Sequence, residues 1–301
     1  MATNAAIRGR IRPQLSPFAR FTRYFLKPDL EGEPRILRWF IIVVVLGGAA
    51  FMALPLWWNI RTAFLDPSDY SHMPLYWFPP KPTLENFRRA LQTPNLVRGY
   101  LNTLILAAIR TVNAILVNLT AAYAFSRLRW RGRDAIFMIY LATMLVPGDT
   151  AGIQQFIILR KLGFYNNWLG LGTPFQMSVF NIFLLRQFLI DIPRDIEESA
   201  RLEGCSEFQT MRYIVLPLAK PVIAVVVLGV VQGAWSDFFW PLIMTKKEEM
   251  RTAAVAITRL GSVPATVTMA ATFLLDAPIV VIAQFAQRYI VETFSRSLSV
   301  E

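Results

Sequence analysis

The chain has 301 residues, 54% of them hydrophobic, with a mean hydropathy of +0.41 and a formal net charge of +11. That is more apolar surface than one soluble core of this length needs, and it is gathered in long runs, which excludes a soluble globular protein and places the chain in lipid. The lone Cys205 excludes an intramolecular disulfide, and basic residues that flank apolar runs without forming a single-face stripe exclude a nucleic-acid surface.

The first 36 residues form a basic tail holding Arg8, Arg10, Arg12, Arg20, Arg23, Lys27 and Arg35. The first apolar run, 37–60, starts too far in and is too long for a cleavable signal peptide, so a retained transmembrane helix is expected. Residues 61–97, with the Pro-rich PPKP stretch, many aromatics and the only histidine, His72, read as an extracytoplasmic loop capping the bundle. The second apolar run, 101–125, carries Arg110 near its middle, with Asn113 and Asn118 close to the same helical face. Arg127, Arg129, Arg131 and Arg133 then fill a tight loop. Together with the basic tail, they place this loop and both termini on the cytoplasmic side. A third run, 135–159, is broken by Pro147 and Gly148, and a fourth, 173–190, is the shortest.

Between the fourth and fifth runs stands a polar segment, 191–217, with the signals of a helix, a glycine turn and a second helix. Asp191 is placed to cap the first helix, Pro193 to sit in its first turn, and Asp195, Glu197 and Glu198 near its positive end. Gly204 is placed to take the left-handed conformation that closes it. Ser206 with Gln209 three residues on reads as a capping box, and Phe208, Met211 and Val215 follow helical spacing up to Pro217. The fifth run, 222–244, contains Gln232, Trp235 and Asp237, and the sixth, 267–290, contains Asp276; residues 291–301 form a cytoplasmic tail. A charge at the centre of a span costs about 3 kcal/mol on insertion scales. Arg110 therefore either lines a path through the membrane, pairs internally with Asp276 or Asp237, or snorkels at the edge of a shifted span. Trp235, Phe238, Phe239 and Trp240 either line that path or mark a bilayer interface.

Within the hairpin, Glu198, Ser199 and Ala200, then Glu203, Gly204 and Cys205, then Leu216, Pro217 and Leu218 resemble the "EAA" loop of permease subunits of binding-protein-dependent ABC importers. The usual letters there are Glu-Ala-Ala and Asp-Gly-Ala. PPKPTLENF (79–87), YLNTL (100–104), AYAFSRLRWRGR (122–133), MLVPG (144–148), WSDFFWP (235–241) and QRYIV (287–291) extend the resemblance to the carbohydrate-importing, maltose-type group. The chain departs from that group by ending in ETFSRSLSVE in place of a Gly-rich tail.

The resemblance implies an all-α polytopic fold of six transmembrane helices, with the transporter core at 98–290, in the bacterial cytoplasmic (inner) membrane. It implies that Glu198, Ser199, Ala200, Glu203, Gly204, Cys205 and Pro217 couple the chain to ATP-binding cassette subunits, two per assembly. ATP and Mg would be bound by those subunits, alongside a second permease and an extracytoplasmic solute-binding protein. The substrate implied is a saccharide, with a lean towards an acidic oligosaccharide from Arg110 and the basic charge. Arg110, Asn113, Gln232, Trp235 and Asp237 are the candidate path residues. No phosphate loop of the G-x-x-x-x-G-K-[ST] type, no metal-ligand cluster and no serine elbow occur, so no catalytic residue, cofactor or metal site is expected in this chain. An importer of a non-sugar solute such as glycerol phosphate, a polyamine or an oxyanion shares every feature except the cavity, and a membrane scaffold or enzyme is the remaining class.

Overall fold

The structure, a computed structural model, describes residues 35–146, 148–172, 177–261 and 263–297, and among them every regular element is helical. The basic tail up to residue 34, Pro147 and the last four residues lie outside the described residues. In chain order the helices are α1 (Arg35–Ala63), α2 (Glu85–Leu91), α3 (Pro94–Ser126), α4 (Arg133–Ala142), α5 (Gly148–Lys161), α6 (Trp168–Gly172), α7 (Val179–Asp191), α8 (Arg194–Leu202), α9 (Glu207–Leu218), α10 (Lys220–Ser236), α11 (Phe239–Met244), α12 (Ala253–Thr258) and α13 (Ala265–Ser297).

The chain divides into two compact units, one ending at Leu56 and the other beginning at Trp57. The first is α1 up to Leu56, whose Trp39, Phe51 and Met52 are exposed, a surface that only an apolar environment stabilises.

The second unit is organised around α3. Pro94 in its first turn needs no intrahelical N–H partner, which lets the helix begin well before the predicted 101. The YLNTL segment stitches α3 to its surroundings. The Tyr100 hydroxyl donates to Ala271 O at 2.6 Å, and Asn102 Nδ2 donates to Glu249 O and Arg251 O at 2.7 and 2.8 Å. Thr103 Oγ1 accepts from Ala253 N at 3.0 Å, at the start of α12. Gly99 permits this approach, because a Cβ there would lie 3.0 Å from Ala253 Cα. Asn86, fully buried on α2, donates to Ala63 O and Leu65 O at 2.9 and 2.7 Å and accepts from Thr266 Oγ1 at 3.0 Å. The first two bonds fold the loop predicted at 61–97 onto itself, and the third ties it to α13. His72 serves the same loop, stacking on Tyr76 with ring centroids 4.4 Å apart.

Among the described residues four apolar clusters fill this unit, and two of them are the ones beside the site. One joins Leu119, Tyr123, Phe137, Ile182, Leu189 and Val222; the other joins Leu106, Leu171, Trp240 and Met244. Asn118 helps close the first, its Oδ1 accepting from Ser178 N at 2.8 Å where α7 begins.

Among the described residues three helices are long and apolar enough to cross a membrane, Trp39–Ala63, Pro94–Ser126 and Ala265–Gln284, or four when α9 and α10 are counted as one bent span. These match the first, second, sixth and fifth predicted spans. The third is divided into α4 and α5, and the fourth, whose residues 173–176 lie outside the described residues, has the 13 residues of α7 as its described helix. At 1.5 Å per residue a full crossing takes about 20 residues, so neither spans as one straight helix.

Candidate functional site

The polar hairpin folds as a helix, a glycine turn and a second helix. The helix begins two positions later than predicted: Asp191 ends α7 and does not cap α8, and Pro193 stands at the N-cap position without a side-chain cap. The proline is the reason, since it holds Ile192 in extended backbone and forces the turn before the new helix can start. Gly204 has φ +89°, and two bonds close α8 around it: Gly204 N donates to Arg201 O and Cys205 N to Ala200 O, both at 3.0 Å. That is a Schellman motif. Ser206 and Gln209 form the predicted capping box, with Ser206 N donating to Gln209 Oε1 at 2.8 Å. A π-helical stretch, Met211–Val215, follows within α9, and the chain then bends by 79° into α10.

Glu198, Ser199, Glu203, Gly204 and Pro217 are exposed, Cys205 is half-buried, and Ala200 is buried. Ile196, Leu202, Phe208 and Tyr213 are also exposed, giving a polar hairpin an apolar outer face.

Its inner face is held by charge. Arg127 Nε lies 2.7 Å from Glu197 Oε1, both side chains less than 5% exposed, and Arg127 Nη2 donates to Ile192 O at 2.8 Å. Loss of hydration pushes the Glu197 carboxyl up and the Arg127 guanidinium down from their ordinary values, while each draws the other back towards its charged form. Beside them the Tyr123 hydroxyl donates to Glu207 Oε2 at 2.8 Å, and Arg201 Nη2 lies 2.8 Å from Glu207 Oε1. The end of α3 is thus bound to both hairpin helices. In the sequence Arg127 reads as an orientation signal and Glu197 as a helix-terminus acid. The available clue was spacing: Glu197 shares a helical face with Ala200 and Arg201. Replacing Glu197 by Ala leaves the arginine unpaired and is expected to cost about 3 kcal/mol, with Glu197→Gln milder. Thermal unfolding of the detergent-solubilised chain would measure both.

A groove of about 760 Å³ runs along α7 and α10, walled by Phe180, Leu184, Val226 and Val230, with Ser178, Asn181 and Ser236 as polar points. Arg110 and Asp237 line it together. The Arg110 guanidinium is 2% exposed; its Nη2 donates to Asp237 Oδ2 at 2.7 Å and to Leu171 O at 3.0 Å. Asp237 Oδ1 in turn accepts from Trp240 N at 3.2 Å, capping α11 where the fifth span breaks. Of the two internal partners considered for Arg110, the structure selects Asp237. Trp235 is buried, its Nε1 donating to Leu275 O at 2.7 Å, so its ring packs against α13 and does not line the groove. Gln232 is exposed and Asn113 half-buried, and neither is among the groove's lining residues. Trp240 is also a packing residue, donating to Gly170 O at 3.0 Å, whereas Phe238 and Phe239 are exposed. Among the described residues no cluster of His, Cys and carboxylates could hold a metal ion.

Residues 114–296 match the family described as "Binding-protein-dependent transport system inner membrane component". The trehalose/maltose transport system permease protein MalG of Thermococcus litoralis is 30% identical over 261 residues, which is 83% of this chain and 93% of that protein. The sn-glycerol-3-phosphate transport system permease protein UgpE of Brucella abortus is 24% identical over 262 residues, covering 83% and 93%. A chain in the crystal structure of a bacterial ABC transporter involved in the import of the acidic polysaccharide alginate superposes with a TM-score of 0.77 at 25% identity, covering 85% of this chain and 98% of that one.

Proposed function

This chain belongs to the binding-protein-dependent transport system inner membrane component family, and from that membership we propose that it forms half of a pathway carrying a saccharide, with a lean to an acidic oligosaccharide, into the cell. The observation that carries the mechanism is the hairpin. Its outer face offers Ile196, Leu202, Phe208 and Tyr213 to a partner, while its inner face is locked to α3 by Arg127 and Glu197. A push on such an element is passed on as rigid-body movement, because a buried ion pair and a Schellman turn leave little slack.

In this reading the hairpin is cytoplasmic and docks into one of two ATP-binding cassette subunits, whose closure on ATP and Mg moves α3 and, through the 79° bend at Pro217 and Ala219, α10. The groove beside α10 then opens alternately to either side, and an extracytoplasmic binding protein delivers substrate to it. Glu198, Ser199, Ala200, Glu203, Gly204 and Cys205 lie at the docked end. The bond-breaking chemistry belongs to the ATPases and not to this chain. The saccharide assignment rests on similarity to the trehalose/maltose permease, and the acidic lean on the alginate importer. Similarity to a glycerol phosphate permease favours an importer of phosphorylated polyols as the second reading.

ATPase activity of the purified assembly in liposomes tests the proposal, with binding protein loaded with neutral oligosaccharide, uronic-acid oligosaccharide or glycerol phosphate. Severalfold stimulation by one loaded form is expected and names the substrate class. Stimulation by glycerol phosphate alone would replace the sugar reading, and an assembly without ATPase would overturn the importer assignment.

A further inference from the structure

Where α3 ends beside the start of α8, the chain leaves a cleft of about 370 Å³ whose lining is charged almost throughout, with Leu128 the one apolar side chain. Four guanidiniums meet in it: Arg127 and Arg129 from the end of α3 and the loop after it, and Arg194 and Arg201 from α8. Two of them have carboxylate partners, Arg127 with Glu197 at 2.7 Å and Arg201 with Glu207 at 2.8 Å. Among the described residues Arg129 and Arg194 have none, and the one other acid of the lining, Glu198, leaves two free cations against one anion. Arg127 forms the buried end of the cleft, its side chain 3% exposed. Its Nε faces Glu197 and its Nη2 donates to Ile192 O, while no described residue accepts from Nη1. Burial lowers this guanidinium from its ordinary value, Glu197 draws it back, and Arg194 and Arg201 lower it further by repulsion.

Arginine does not relieve such crowding by giving up its proton, so the excess charge calls for an anion from outside the chain. We propose that the cleft binds a phosphate oxyanion, gripped by the forks of Arg129 and Arg194 with Arg127 Nη1 at its base. The planar guanidinium fork matches phosphate oxygens two at a time, and these bonds are charge-assisted. The place favours phosphate as well. Arg127 directly follows the last residue of the span Pro94–Ser126, and Trp130 beside it is exposed, which sets the cleft at the level of lipid phosphates and within reach of solution. An anionic headgroup and a free phosphate carry the same group there. Bound between the end of α3 and α8, the anion adds a tie across the joint that Arg127 and Glu197 already make. The site is separate from the Arg110–Asp237 groove, and it stands whether or not the hairpin meets an ATPase.

The test uses the full chain in maltoside detergent, its unfolding temperature followed against inorganic phosphate at an ionic strength held constant with chloride. A second arm uses nanodiscs of phosphatidylcholine with increasing phosphatidylglycerol, in phosphate-free buffer. A saturable rise is expected in at least one arm. Arg129→Gln with Arg194→Gln should weaken its midpoint about tenfold, as two charge-assisted contacts are lost. The unliganded stability of that variant should not change, since neither arginine makes an ion pair among the described residues. Arg131→Gln with Arg212→Gln removes the same charge from the same loop and hairpin outside the cleft, and should keep the wild-type midpoint. Saturation by inorganic phosphate assigns a soluble source, and saturation by phosphatidylglycerol alone a headgroup. No saturable rise in either arm, or equal weakening in the two double variants, would overturn the proposal. It would be overturned equally if neither ligand stabilised the chain while the cleft variant alone shed ATPase from the assembly, for the arginines would then belong to that contact.

Discussion

Removing either member of the Arg110–Asp237 pair is expected to destabilise the protein by about 3–5 kcal/mol, the usual loss when one charge of a buried pair is left behind. The contact is short, at 2.7 Å, and the side chains of Arg110 and Asp237 are only 3% and 14% exposed. The loss also extends beyond the two charges. Arg110 holds Leu171 O, and Asp237 caps α11, so α3, α6 and the break between α10 and α11 all loosen together. Arg110→Ala and Asp237→Ala should each lower the unfolding temperature in detergent by many degrees. The pair Arg110→Met with Asp237→Leu should recover most of it, because two matched apolar groups need no counter-charge. Transport by that double variant decides what the pair does. If transport returns with stability, the pair is an internal strut. If stability returns while uptake stays at least tenfold down, these residues meet the substrate. A single variant at full stability would refute the strut.

Substitution of Gly204 by Val is the second large effect, and it is expected in coupling more than in folding. At φ +89° an L-residue is strained by about 1–2 kcal/mol, and a β-branched one is worse placed. Nothing lies within 4 Å of the site a Cβ would occupy, so the cost is conformational and not a clash within this chain. The variant should insert and fold, yet mis-set α8 against α9. Its ATPase activity in the assembly should persist while transport per ATP falls at least fivefold. Gly204→Asn, which tolerates the left-handed region, should keep more of the coupling than Gly204→Ala. A parallel fall in folded protein and in transport would make the glycine a structural turn and nothing further.

The hairpin was legible because its signals are local. A glycine needed for φ above zero and a serine three residues before a glutamine act within a few bonds of one another, so short spacing determines them. The start of α8 lies two positions beyond the one that Asp191 and Pro193 suggest, because helix ends are settled by the competition between adjacent elements, and the proline's grip on Ile192 decides it. The inner face of the hairpin was not legible at all. Arg127 and Glu197 are 70 residues apart, and only the packing of α3 against α8 puts them 2.7 Å apart.

The same division runs through the rest of the chain. Composition and apolar run length by themselves determined a helical membrane protein, because hydrocarbon admits few ways to satisfy a backbone. Its place inside an apolar run also marks Arg110 as a group that either lines a path or pairs internally. Which partner it found, Asp237 and not Asp276, was decided by tertiary structure, as was the burial of Trp235 against Leu275. Aromatic and charged side chains are equally suited to a path, an interface or a core. Their roles follow from what stands opposite them, and that is a property of the assembled helices and not of any one segment.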